Sequence, residues 1–181
     1  RLLSVLGEHQ ASNAALAINT LMRFDDKIPY ETLCEGLKNV FWPGRLQLVS
    51  DRIYYDVAHN KAGIKSVLKT LNIIFPESEF FGLFCLKGDK DIEPIAKYIK
   101  SQFKTLFITT SKDGLLLRTR ELSEKLNILG IDNVSVDSIS NGIKIIKKLM
   151  KPKDIALIFG THYIASEIFY EFEISFDSGV I

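Results

Sequence analysis

From residue 46 onward, short unbroken apolar runs alternate with longer stretches whose apolar positions recur every three or four residues. The runs at 46–49 and 52–57 read as two strands joined by a Ser50-Asp51 turn, and further strands are expected at 80–86, 105–109, 133–136 and 154–159. Between them lie helical patterns. One covers 61–74, with Ile64, Val67, Leu68 and Leu71 on one face; the others cover 92–101, 119–129, 139–150 and 161–169. Asp91 suits an N-cap, and Pro94 falls in a first turn where proline is tolerated. Strands alternating with helices imply an α/β fold with a mostly parallel sheet. Strands that are apolar throughout imply helices covering both of its faces.

The first 45 residues follow a different pattern. Residues 2–6 read as a strand stopped by Gly7. A helix over 10–24 places Ala14, Ala17, Ile18 and Leu21 on one face, and Pro29 opens a second helix to about residue 39. No sheet large enough to cover these helices belongs to this part of the chain. They look like the tail of a preceding domain, which agrees with a chain that begins at Arg1 inside an element. Phe41-Trp42-Pro43-Gly44-Arg45 contains a strong turn signal and marks the boundary. Residues 171–176 alternate polar and apolar and are expected to add an edge strand.

Composition narrows the function classes. Of 181 residues 46% are hydrophobic and 25% charged, the profile of a soluble globular protein. A net charge of +1 supplies no field for nucleic acid or an anionic membrane. Lys144, Lys147 and Lys148 fit the wet face of a helix. The two cysteines, Cys34 and Cys85, sit among apolar neighbours outside any metal-ligand spacing and are expected to be buried free thiols in the cytoplasm. No apolar run approaches the ~20 residues that span a bilayer.

Candidate chemistry gathers at expected strand ends. In Asp56-Val57-Ala58-His59-Asn60, Asp56 could accept both hydroxyls of a ribose, His59 could meet phosphate oxygens, and Asn60 could cap a helix whose free N–H groups favour anions. Simple strand termination and capping would place the same residues there. Arg45, at the boundary, could reach across a cleft to a phosphate or lie along the surface. In Gly7-Glu8-His9-Gln10 with Asn13, the spacing puts polar side chains on one helical face, suited to a base edge or to plain capping. Gly160-Thr161-His162-Tyr163 offers close backbone approach and a hydroxyl for a carboxylate or phosphate, or only a turn. Gly88-Asp89-Lys90-Asp91 stands at another strand end and reads equally as a charged turn. The three histidines at 9, 59 and 162 form no zinc-binding helix pair, and no metal site is expected. No Gly-rich loop ending in Gly-Lys-Ser/Thr is present.

The order of these motifs, Gly7-Glu8-His9-Gln10, Asn13-Ala14, Pro43-Gly44-Arg45, Asp56 before Ala58-His59-Asn60, Asp89-Lys90-Asp91 and Gly160-Thr161 before Tyr163, resembles folylpolyglutamate synthase and dihydrofolate synthase of the Mur ligase superfamily. The likeness runs from about residue 6 to about residue 168. It implies a Rossmann-like C-terminal ligase domain at 46–181, a linker at 42–45, and the last helices of a central ATP-binding domain at 1–41. It further implies ATP-driven addition of glutamate to dihydropteroate or folates through an acyl phosphate. By the same resemblance Asn13 stands near adenine, Asp56 on the ribose, and Arg45 and His59 at the phosphates as catalytic groups. His59 and Thr161 are then candidates for glutamate. The P-loop and the Mg²⁺ ligands are expected outside this chain, which alone is expected to be inactive. Lys61 stands where the family has proline and Thr161 where it has serine, and the tail after Tyr170 matches nothing in the family pattern. A non-catalytic nucleotide- or amino-acid-binding module and a peptidoglycan Mur ligase domain are the competing readings.

Overall fold

The computed structural model describes residues 3–175. Helices α1 (Glu8–Phe24) and α2 (Tyr30–Asn39) come first. The remainder is a six-stranded sheet of β1 (Gln47–Ser50), β2 (Ile53–Asp56), β3 (Phe80–Phe84), β4 (Thr105–Ile108), β5 (Val134–Ser135) and β6 (Ile155–Phe159). Its spatial order is β1-β2-β6-β3-β4-β5. Only the β1–β2 pair is antiparallel; every other pair is parallel. The hairpin turn falls at Asp51-Arg52, one residue later than the sequence implied. Arg52 turns it with φ 59° and ties it to the start of β6 by donating to the carbonyls of Lys153 (2.6 Å) and Asp154 (3.0 Å).

Strand alternation sorts the core into two layers. Tyr54, Phe80, Phe84, Leu106, Ile155, Leu157 and Phe159 pack with α3 (Lys61–Ile74), α4 (Glu93–Ile99) and α5 (Thr119–Ile128). Tyr55, Phe81, Leu83, Phe107, Ala156 and Ile158 pack with α6 (Ile139–Leu149) and α7 (Ala165–Glu171). This is the α/β sandwich that the continuous apolar runs implied, with β2, β3 and β6 buried along their whole length.

Five local expectations are corrected. Residues 3–6 form no strand; among the described residues no strand pairs with them, and Ser4 bonds instead to the carbonyls of Leu37 and Val40 near the end of α2. The last helix begins at Ala165, not Thr161, because Gly160 (φ 110°) and a turn at 162–164 intervene. The expected edge strand at 171–176 is absent over 171–175, where Glu171 closes α7 and a turn follows; residue 176 lies outside the described residues. Both cysteines are free, but only Cys85 is buried, while Cys34 is half-exposed. Asp91 assists α4 one residue outside its cap, its carboxylate accepting the Glu93 N–H at 3.1 Å.

Candidate functional site

The parallel register aligns the carboxyl ends of the central strands: Asp56 lies opposite Phe159, and Phe159 opposite Phe84. From β2 the chain runs into α3 on one face of the sheet, whereas from β6 it runs into α7 on the other. Chains that part to opposite faces open a crevice at the strand ends, the usual ligand position in open α/β sheets. Asp56, His59 and Asn60 flank it from β2, and Gly160 and Thr161 from β6.

Asp56 is 4% exposed. Its Oδ2 accepts the Leu46 N–H and its Oδ1 the Ala58 N–H, both at 2.7 Å. Burial pushes its carboxyl up to about 6, against the lowering effect of these two N–H donors and of Arg45. Asn60 caps α3, its Oδ1 accepting the Gly63 N–H at 2.9 Å. His59 is half-buried, with Nδ1 2.9 Å from the Val57 carbonyl. A carbonyl only accepts, so Nδ1 bears the proton and Nε2 is the ring atom available to a ligand. Thr161 is buried. Its Oγ1 accepts the Tyr163 N–H (3.1 Å) and its carbonyl the Tyr55 hydroxyl (2.9 Å). Gly160 is required here, because a Cβ would stand 1.9 Å from the Cys85 carbonyl oxygen. The 88–91 stretch is an exposed turn in which Asp89 pairs with Lys87 (3.3 Å) and Lys90 (3.7 Å).

Arg45 is exposed, its guanidinium 6.0 Å from the Trp42 ring centroid. Together with His9, Gln10, Asn13 and Trp42 it lines a cleft of about 410 Å³ between α1 and the residues that follow α2. Asn13 donates to Gln10 Oε1 at 3.0 Å on the shared helical face. His9 Nδ1 lies 2.6 Å from Ser66 Oγ of α3, and burial followed by the nearby Arg45 charge holds its imidazole below the ordinary value. The structure therefore groups Arg45 with the α1 candidates, while Asp56, His59 and Thr161 lie outside the walls of this cleft. Among the described residues no group of three or more His, Cys, Asp or Glu side chains converges as a metal site would require. Two contributors are invisible to motif reading: Tyr55, whose hydroxyl braces the Thr161 loop, and Leu46, whose φ of 45° shapes the turn after Arg45. A tyrosine at the buried end of a strand was the one available hint, since its hydroxyl needs a partner.

Residues 44–162 match the family model described as Mur ligase, glutamate ligase domain. The chain belongs to this family. The chain is 29% identical, over 91% of its own length and 39% of the relative's, to a Bacillus subtilis protein named dihydrofolate synthase/folylpolyglutamate synthase. Among solved structures it is similar to Mycobacterium tuberculosis folylpolyglutamate synthase complexed with ADP and AMPPCP. The TM-score is 0.87 and the identity 24%, covering 96% of this chain and 42% of the other. It is also similar to a bifunctional folylpolyglutamate synthase/dihydrofolate synthase with Mn, AMPPNP and L-glutamate bound, with a TM-score of 0.82 and 18% identity over 95% of this chain and 41% of the other. These likenesses to solved structures establish the Mur ligase fold with its N-terminal helices. The chain spans 37% and 39% of the length of two curated relatives that it matches. Among the described residues, no helix is long and apolar enough to cross a membrane.

Proposed function

We propose that the chain is the C-terminal part of an ATP-dependent ligase that adds glutamate to dihydropteroate or a folate through an acyl phosphate. Residues 1–41 then end a central ATP-binding domain, 42–45 form the linker, and 46–181 are the ligase domain. The observation that carries this reading is the fastening of the Arg45 turn to the carboxyl end of β2, beside His59 and next to the crevice. Relatives so named, and solved relatives holding ADP or L-glutamate, support it.

In this reading Asn13 stands near adenine, Asp56 near the ribose, and Arg45 and His59 near the phosphates. His59 and Thr161 are the glutamate-side groups, with Thr161 acting through a hydroxyl that already holds the Tyr163 N–H. An acyl-phosphate route concentrates negative charge, so positioning and electrostatic stabilisation dominate catalysis. Cations on the linker and the second domain complete the site only on closure, which also keeps water from the acyl phosphate. The P-loop and the Mg²⁺ ligands belong to the remainder of the parent protein, and the reaction takes place in the cytoplasm.

The test is Arg45→Ala in the complete ligase. We expect kcat to fall about 100-fold, as on loss of one transition-state donor, with a smaller change in KM for ATP. Unchanged kcat and KM would remove Arg45 from the site. The 181-residue chain alone is expected to release no phosphate from ATP in the presence of Mg²⁺, folate and glutamate. Turnover by that chain would overturn the assignment of the phosphate-binding loop to the missing part.

A further inference from the structure

We propose that Asp56 is a positioning residue whose one buried carboxylate clasps the turn bearing Arg45 to the strand end bearing His59, setting the two cationic side chains relative to each other. Leu46, bound by Oδ2, directly follows Arg45; Ala58, bound by Oδ1, directly precedes His59. Each arm is a short, charge-assisted bond from a backbone N–H, so it fixes the main chain and not merely a side chain.

The turn needs such a clasp. Gly44 has φ 68° and Leu46 φ 45°, and the second is a bulky residue in the left-handed region. One further bond holds the turn against the end of β2, the Val57 N–H donating to the Gly44 carbonyl, and one closes the turn on itself, the Gly44 N–H donating to Gln47 Oε1 at the start of β1, each at 2.9 Å. Gly44 lies so close to the strand end that a Cβ would come within 2.6 Å of Val57 Cγ1. Asp56 is 4% exposed with both oxygens occupied, so a ribose would have to share atoms that already hold the backbone. Loss of its charge leaves Arg45 and His59 in the chain but frees the segments that aim them.

Charged and titratable groups surround the clasp. Arg45 acts on Asp56 from the turn, and Tyr55 adjoins it on β2. His59 follows on the next loop, and His9 of α1 stands close enough to Arg45 to feel its charge. The experiment must separate Asp56 from these neighbours.

The clasp itself does not depend on the ligase reading, whereas its catalytic consequence does. In the ¹H–¹⁵N NMR spectrum of the 181-residue chain, the Leu46 and Ala58 amide protons should move upfield together as pH falls through about 6, with one shared midpoint. The paired titration should persist in His9→Gln and in His59→Gln and vanish in Asp56→Asn. Separate midpoints, or midpoints that follow either histidine, would overturn the clasp without recourse to any Asp56 variant. In the complete ligase, Asp56→Asn should lower kcat about 100-fold, the scale of a small misplacement of reacting groups, beyond any rise in KM for ATP that loss of the ribose contact brings. A raised KM for ATP at undiminished kcat would leave Asp56 with the ribose contact alone and overturn its positioning role. A wild-type ligase without turnover would defeat the functional reading, while the amide titration would still decide the clasp.

Discussion

At Gly160 two constraints coincide: a φ of 110° and a Cys85 carbonyl oxygen 1.9 Å from where a Cβ would sit. Gly160→Ala should therefore cost about 3 kcal/mol or more, measured by urea unfolding, because neither backbone can yield without breaking the β3–β6 pairing. Asn60→Ala should cost about 1 kcal/mol through the lost cap on the Gly63 N–H, with Asn60→Asp close to neutral. Asp56 makes stability depend on pH. Its folded carboxyl is raised to about 6 from 3.8, so between these values the folded chain holds a proton that the unfolded chain releases. Its contribution to stability accordingly falls as pH rises through that window, by on the order of 3 kcal/mol. Wild type should gain on Asp56→Asn as pH is lowered from about 7 to about 4 in paired urea titrations. The residue types at 45, 56, 59 and 161 were legible from strand-end position and motif order. What Asp56 holds was not, because Leu46 lies ten positions away and becomes its neighbour only through the β1–β2 hairpin.

Helix α1 was legible almost to the residue, since its pattern needs only local spacing. The strand expected at 2–6 failed over its described residues for the opposite reason: a strand exists only with a partner, and among the described residues none pairs with 3–6. At 161–164 the helical pattern lost to specific bonds, with the Thr161 hydroxyl engaging the Tyr163 N–H and its carbonyl taking the Tyr55 hydroxyl. Helix α1 buries no residue and leaves Leu16, Met22 and Phe24 at 68%, 52% and 89% exposure. It meets the ligase domain through exposed polar links to α3, Glu8–Lys69 at 2.5 Å and His9–Ser66 at 2.6 Å. Exposed ion pairs of this kind contribute little. A chain of residues 42–181 should therefore still melt cooperatively in circular dichroism, within about 5 °C of the full chain, a shift that corresponds to roughly 1 kcal/mol. Loss of the transition would show that the domain division at 41 is misplaced.

For the whole molecule, the alternation of apolar runs and amphipathic stretches was enough to give a mostly parallel sheet with helices on both faces. Strand order was not written there, because periodicity says which face a residue takes and nothing about which strand it joins. That order places β6, the last of the described strands in sequence, between β2 and β3. Until Ile155–Phe159 leaves the ribosome, the growing chain holds a hairpin and a separate three-stranded ribbon, each with an unpaired inner edge. Such edges are templates for wrong pairing. The sheet thus closes only after β6 has been synthesised, and a stop codon shortly before residue 155 should yield an insoluble product rather than a slightly weaker one. Translation of that late stretch, more than any single contact in the crevice, sets when this protein becomes safe from aggregation.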